Sequence, residues 1–151
     1  ELVAKIRNAT TFNQGYDFFE ILEAAVLDMQ WHTITSDVKL PDADQFEADA
    51  LKNTGMLLSM VPPRYRSTYF LHIWGNGYAA GYYAYTWAEM IDNDAFAWFQ
   101  ENGGLNRQNG QRFRDMILSR GNTEDLEKMY VNFRGKEPDI KPLLKFRGLI
   151  N

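Results

Sequence analysis

Apolar residues recur at intervals of three and four along nearly the whole chain, and no stretch alternates apolar with polar over the length of a strand. That spacing fits the 3.6-residue turn of a helix and not the two-residue repeat of a sheet. Between Tyr16 and Thr33 the apolar positions are Phe18, Phe19, Leu22, Ala25, Val26 and Met29, one face of a helix that starts near Asn13 or Gly15. The fold class read from this pattern is all-α, a single compact multi-helix unit over residues 1–151.

Turn formers and caps set the boundaries. Residues 34–41, ITSDVKLP, read as a loop ending in Pro41. Asp42 or Asp44 then caps a short helix through Leu51, stopped near Gly55. The prolines of MVPPRYRS break any helix there. A long helix is expected from Gly77 to about Gln100, ended by Gly103 and Gly104. Another covers 106–119, with Phe113, Met116 and Ile117 apolar, closed by Gly121. Asn122 reads as the cap of the next helix, with Asp125 three residues on. Its buried face is Leu126, Met129, Tyr130 and Phe133, and Gly135 ends it. Asp139 caps a last short helix with Pro142 in its first turn, docked by Leu143, Leu144 and Phe146.

A globular chain of 151 residues buries roughly 70% of its unfolded surface, enough for a real core. A hydrophobic content of 45% argues against disorder. The net charge of −4 argues against nucleic acid as a partner. Cysteine is absent, so disulfides and thiolate sites are excluded, which fits a reducing, cytoplasmic setting. No apolar run approaches the ~20 residues of a membrane span, so no membrane partner is expected. The opening ELVAKIRNATTFNQG has no initiator methionine and no signal-peptide pattern. It is already in amphipathic register, with Leu2, Val3 and Ile6 facing a neighbour the sequence does not contain. The expectation is a piece of a longer polypeptide.

The densest feature is HIWGNGYAAGYYAYTW, residues 72–87, with four tyrosines, two tryptophans, one of two histidines and three glycines. Taken as helical from Gly77, it places Tyr78, Tyr82 and Tyr85 on one face. Gly77, Gly81, Ala84 and Ala88 form an adjacent small-residue face that lets another backbone approach. Tyr83, Trp87 and Met90 form a bulky face read as core. Two glycines weaken such a helix by roughly 2 kcal/mol relative to alanine, so something must offset them. A row of three phenols is either packing with its hydroxyls in water or a set of hydrogen-bond donors, and spacing alone leaves both open.

The segment FLHIWGNGYAAGYYAYTWAEM, residues 70–90, closely resembles the tyrosine-rich segment of the thimet-oligopeptidase-like zinc metallopeptidases, the M3 family. Within them it is most similar to the bacterial peptidyl-dipeptidase (dipeptidyl carboxypeptidase) branch. Residues 12–32, FNQGYDFFEILEAAVLDMQWH, look like that family's upstream helix, and residues 112–149 look like its closing segment. The six positions from His72 to Tyr78 favour the dipeptidase branch, since oligopeptidase members place the histidine one residue closer.

The resemblance implies a helical fold of two lobes around a deep cleft. It implies a zinc ion held by the histidines of His-Glu-x-x-His and a later glutamate, with the motif glutamate as general base. This chain has only His32 and His72 and lacks that motif. The implied reading is therefore a C-terminal portion without metal ligands, carrying one wall of the cleft. Zinc then belongs to the full-length parent, and the partners are short peptide substrates and the missing N-terminal part. Of the site residues, the resemblance implies that Tyr82 and Tyr85 are catalytic, with Tyr85 the donor to the carbonyl oxygen. His72 and Tyr78 bind the peptide, and Tyr83 is structural.

Arg64 and Arg66 in PPRYRSTYF have the chemistry to bind a substrate carboxylate, or are surface charges. Arg112 and Arg114 read as salt-bridging, His32 as helix packing, and Asp92 and Asp94 as solvated. Two alternatives to the peptidyl-dipeptidase remain: an oligopeptidase that cuts internally, and a non-catalytic helical module with a tyrosine-lined groove. The fragment alone is expected to be inactive.

Overall fold

In the computed structural model, which describes residues 1–37, 39 and 42–151, every regular element among the described residues is a helix, as the period requires. The only extended pairing there is an isolated bridge between Leu58 and Val61. The described chain divides into two compact units, residues 1–87 and 88–151.

In the first unit, α1 (Leu2–Ala9) buries nothing; Leu2, Val3 and Ile6 are exposed, as their register leads one to expect. Helix α2 (Gln14–His32) starts after Asn13, which takes a left-handed conformation with φ 56°. Asparagine tolerates that region better than other non-glycine residues. Thr33 closes the helix, its hydroxyl donating to the Met29 carbonyl at 2.9 Å. The buried arc of α2 is Glu23, Ala24, Ala25, Leu27 and Asp28, and Met29 is exposed. The apolar stripe read from the sequence is therefore only partly the buried face. The helix has neighbours on two sides, and the arc they cover takes in two acids. On one side Ala24 and Ala25 pack with Phe70, Ile73 and Tyr82. On the other, Leu27 packs with Ala50 and Leu51 of α3 (Ala43–Asn53). Asp42 caps α3, accepting the Gln45 N–H at 3.0 Å. Residues 34–37 and 39 lie outside helices, as expected; Val38, Leu40 and Pro41 lie outside the described residues.

Glu47 is a buried carboxylate of α3 that works at a distance. It accepts the Ser67 N–H at 2.7 Å and the Ser67 hydroxyl at 2.9 Å, capping a 3-10 turn over Ser67–Tyr69. It also pairs with Arg66. Helix α4 (Leu71–Gly75) follows, anchored by Ile73 and by Trp74, whose indole N–H donates to the Ser67 carbonyl at 2.7 Å.

Glu23 differs from these acids. Its side chain is fully buried and neither oxygen has a hydrogen-bond partner. Burial, helped by nearby Glu47 and Glu20, pushes its carboxyl up to about 7. Protonated Glu23 fits the site; ionised Glu23 does not. Folding stability from this group is full below the unfolded carboxyl value and is lost as pH rises through about 7. Glu23→Gln is expected to flatten that decline. Thermal unfolding of both proteins at about pH 5 and about pH 8 checks this; a parallel decline in both proteins would reject it.

In the second unit the core joins Ala95, Trp98 and Phe99 of α5 (Ala84–Glu101) to Tyr130 and Phe133 of α7 (Leu126–Arg134). Phe113, Met116 and Ile117 pack against them as the period predicts. They sit on α6 (Arg107–Phe113) and a π-helical segment, Arg114–Leu118, that local sequence did not announce. Asp125, not Asn122, caps α7, accepting the Lys128 N–H at 2.9 Å. Leu126 is exposed because side chains tilt toward a helix N-terminus, so the first residue leans off the end. Gly135 ends the helix with φ 84°, as read. In α8 (Lys141–Phe146) the Asp139 carboxylate accepts the Lys141 N–H at 3.0 Å. Leu143 is buried but Phe146 is exposed; Arg147, one turn on from Leu143, takes the buried position and pairs with Glu89 at 2.6 Å.

Two charged readings also change. Asp94 is not solvated: it is fully buried, 3.0 Å from Arg134 Nε, and accepts the Tyr130 hydroxyl at 2.8 Å. Arg112 is held by the Asn132 and Phe133 carbonyls and lies over the Trp98 ring, in place of an acid.

Candidate functional site

The tyrosine segment is not helical where the sequence reading put it. Residues 76–83 form a turn, and α5 begins only at Ala84. Gly77 and Ala80 have φ 79° and 53°, a left-handed pair that a right-handed helix cannot contain. The turn is closed by short-range bonds, Gly81 N–H to Tyr78 carbonyl at 2.8 Å and Ala84 N–H to Gly81 carbonyl at 3.0 Å. Asp28 of α2 accepts the Ala80 N–H at 3.0 Å and the Tyr82 N–H at 2.9 Å. These long-range bonds replace the helical ones that local propensity favours. The shared helix face of Tyr78, Tyr82 and Tyr85, and the small-residue face beside it, therefore do not exist. Tyr83 and Trp87 are exposed, not core.

The side chains nonetheless converge, by the turn and not by helical spacing. His72 lies 5.9 Å from the Tyr78 ring and 5.8 Å from the Tyr82 ring, centroid to centroid. Tyr85 stacks on Tyr78 at 5.2 Å and leans on Tyr82 at 5.0 Å. Tyr65, absent from the sequence reading, joins His72 at 5.2 Å. Nothing in PPRYRS marks it out; its ring stacks on Phe70 at 4.9 Å.

The phenols differ in access. Tyr82 is 4% exposed and belongs to the core with Phe70, whereas Tyr85 is 43% exposed. Burial raises the Tyr82 hydroxyl. A hydrogen bond with Tyr78 pushes the Tyr85 hydroxyl up to about 12.

The arginines are already engaged. Arg64 pairs with Glu20 at 2.7 Å and lies over the Tyr65 ring, 5.6 Å from its centroid. Arg66 pairs with Asp44 at 3.0 Å and with Glu47. His32 does more than pack: its Nδ1 lies 2.8 Å from Asp28, and its ring is 5.6 Å from Trp74. Among the described residues no group of three or more histidines, aspartates and glutamates could hold a metal ion. With one histidine on Asp28 and the other among tyrosine rings, this chain's residues do not fit a zinc ion.

Residues 1–149 match peptidase family M3. The chain belongs to that family. It is 56% identical over 149 residues to dipeptidyl carboxypeptidase of Escherichia coli K12, covering 99% of this chain and 22% of that protein. It is 54% identical to dipeptidyl carboxypeptidase of Salmonella typhimurium, with the same coverage. To oligopeptidase A of E. coli it is 34% identical over 152 residues, covering 99% of this chain and 22% of the relative. This M3 chain thus spans about a fifth of the length of these relatives. Among the described residues no helix is long and apolar enough to cross a membrane.

Proposed function

We propose that this chain forms the tyrosine and histidine side of the active site of a zinc-dependent peptidyl-dipeptidase that releases C-terminal dipeptides from short peptides. The zinc and its ligands lie in the rest of a longer, cytoplasmic polypeptide. The observation that carries the reading is the gathering of His72, Tyr78, Tyr82 and Tyr85 within ring distances of 5.0 to 5.9 Å, with Tyr85 43% exposed. As a nucleophile adds to the scissile carbonyl, negative charge gathers on its oxygen. Tyr85 donates to that oxygen. A donor aimed at developing charge strengthens most in the transition state, and losing one lowers the rate by about 10² to 10³. His72 and Tyr78 bind the peptide, and Tyr82 reaches the scissile region from the core side. Identity to the two dipeptidyl carboxypeptidases supports the exopeptidase reading. Identity to oligopeptidase A supports the second reading, internal cleavage.

Mass spectrometry on the full-length protein separates them. A short peptide with a free C-terminus is expected to lose dipeptides stepwise, and its C-terminal amide to resist. Internal cuts in both peptides would favour the oligopeptidase. No cleavage of either would return the chain to a peptide-binding module. The isolated chain is expected to release no dipeptides; chelator-sensitive release by it would overturn the assignment of the metal ligands to residues outside it.

A further inference from the structure

Every acid on the buried arc of α2 has a distinct fate, and Asp28 is the one that reaches the tyrosine site. Its side chain is fully buried and takes three N–H donors. Oδ1 accepts the Ala80 N–H at 3.0 Å and lies 2.8 Å from His32 Nδ1, while Oδ2 accepts the Tyr82 N–H at 2.9 Å. A buried carboxylate so surrounded is well satisfied, and both backbone partners belong to the turn that carries the phenols.

The turn needs such a hold. Ala80 bears a β-carbon yet sits at φ 53°, a region such residues avoid unless their surroundings impose it. Tyr82 N–H fixes the residue whose ring supports Tyr85 at 5.0 Å, and Tyr85 in turn stacks on Tyr78 at 5.2 Å. Movement of the turn therefore moves every phenol. His32 fixes the carboxylate from the other side. Its Nδ1 faces only acceptors, Asp28 Oδ1 and the Asp28 carbonyl at 2.9 Å, so that nitrogen carries the proton. Trp74 backs the ring at 5.6 Å, and Trp74 is itself tied to the Ser67 carbonyl at 2.7 Å.

We propose that Asp28, held by His32, is a positioning residue for the reaction: it sets the 76–83 turn, and with it the start of α5, so that the phenol hydroxyls meet the reacting carbonyl oxygen. The inference rests on the function proposed above for Tyr85. Asp28 touches no substrate. Its effect passes through the backbone of Ala80 and Tyr82.

Asp28→Asn in the full-length protein puts an amide N–H₂ against one of the N–H donors, and the turn shifts. Misplacement of a reacting group by about an ångström lowers rates by about 10². The expected result is a fall in kcat of that order with KM changed by less than about threefold, and faster hydrogen exchange at the Ala80 and Tyr82 amides. In a Tyr85→Phe background the same substitution is expected to lower kcat by less than about threefold, because the group it positions is gone. Asp94→Asn, an equally buried acid in the second unit, loses stability but keeps kcat and the exchange of those two amides. Unchanged exchange, a change confined to KM, or equal kcat loss in both backgrounds when Tyr85→Phe is itself impaired would overturn the proposal. A fully active Tyr85→Phe overturns the donor assignment instead; slow turnover and fast exchange in Asp28→Asn would then still uphold the anchor. Should Asp28→Asn fail to fold, His32→Phe carries the test. It keeps the carboxylate and fills the place against Trp74, with kcat expected to fall about fivefold and Tyr82 exchange to quicken; wild-type values of both would overturn the proposal.

Discussion

Tyr85→Phe in the full-length protein is expected to lower kcat by about 10² or more, with KM little altered. The substitution removes one hydroxyl at a position 43% exposed. The ring keeps its stack on Tyr78 and its contact with Tyr82, so folding is expected to be nearly unchanged. An interaction made only in the transition state shows in kcat, whereas uniform binding shows in KM. Tyr83→Phe is the internal control. It lies two residues away and loses the same atom, but Tyr83 is half exposed and stands apart from the ring cluster. Steady-state kinetics on a short peptide decide the matter: equal activity of Tyr85→Phe and wild type, or equal damage from Tyr83→Phe, would return the cluster to packing. The Tyr85 hydroxyl, pushed up to about 12, keeps its proton through the neutral range. Loss of a donor through phenol ionisation is therefore not expected near neutral pH.

The helices were legible because their signals are local. The apolar period of α2, the Asp42 cap of α3 and the Gly135 stop of α7 each need only a few neighbouring residues. The tyrosine site was half legible for the same reason. Its residue types were visible, and His72, Tyr78, Tyr82 and Tyr85 do lie together. Its geometry was not visible. The segment YAAGYYAYTWAEM has ordinary helical composition, and what unwinds its first turn is Asp28, some fifty residues earlier. The only local clue was the i, i+4 pairing of Asp28 with His32 in DMQWH, which reads as readily as a helix surface pair. Tyr83 was misplaced by the helical assumption itself, since the helix starts only at Ala84; Trp87 does lie on α5, but on a face that is exposed.

Buried acids were the other blind spot. Glu23, Glu47, Asp28 and Asp94 all sit inside, against the ordinary expectation for carboxylates. Three of them are justified by partners far along the chain, Ser67, Tyr82 and Arg134. No periodicity argument reaches across such separations. Glu23 has no such partner, and the rise of its carboxyl to about 7 lets it remain buried as a neutral acid.

Arg134→Met is expected to have the largest effect on stability. Asp94 is fully buried, and Arg134 Nε at 3.0 Å is its cationic partner. Arg134 also grips Glu101 with both Nη groups, at 2.7 and 3.0 Å. Removing the guanidinium leaves an uncompensated carboxylate in the interior, which destabilises by about 3–5 kcal/mol. At the usual scale for a chain of this size, that lowers Tm by roughly 10 °C or more. The two acids are not equal partners. Glu101 has a side chain 54% exposed, so Glu101→Gln is expected to lose less than about 1 kcal/mol. Tyr130→Phe removes one of the hydrogen bonds to Asp94 and is expected to fall between them, at about 1–3 kcal/mol. Thermal unfolding of the three variants tests the order. A double variant, Asp94→Leu with Arg134→Met, removes the orphaned charge together with its partner and is expected to recover much of the single loss. If it is no more stable than Arg134→Met, the guanidinium acts through its packing against α5 and not through the acid it neutralises.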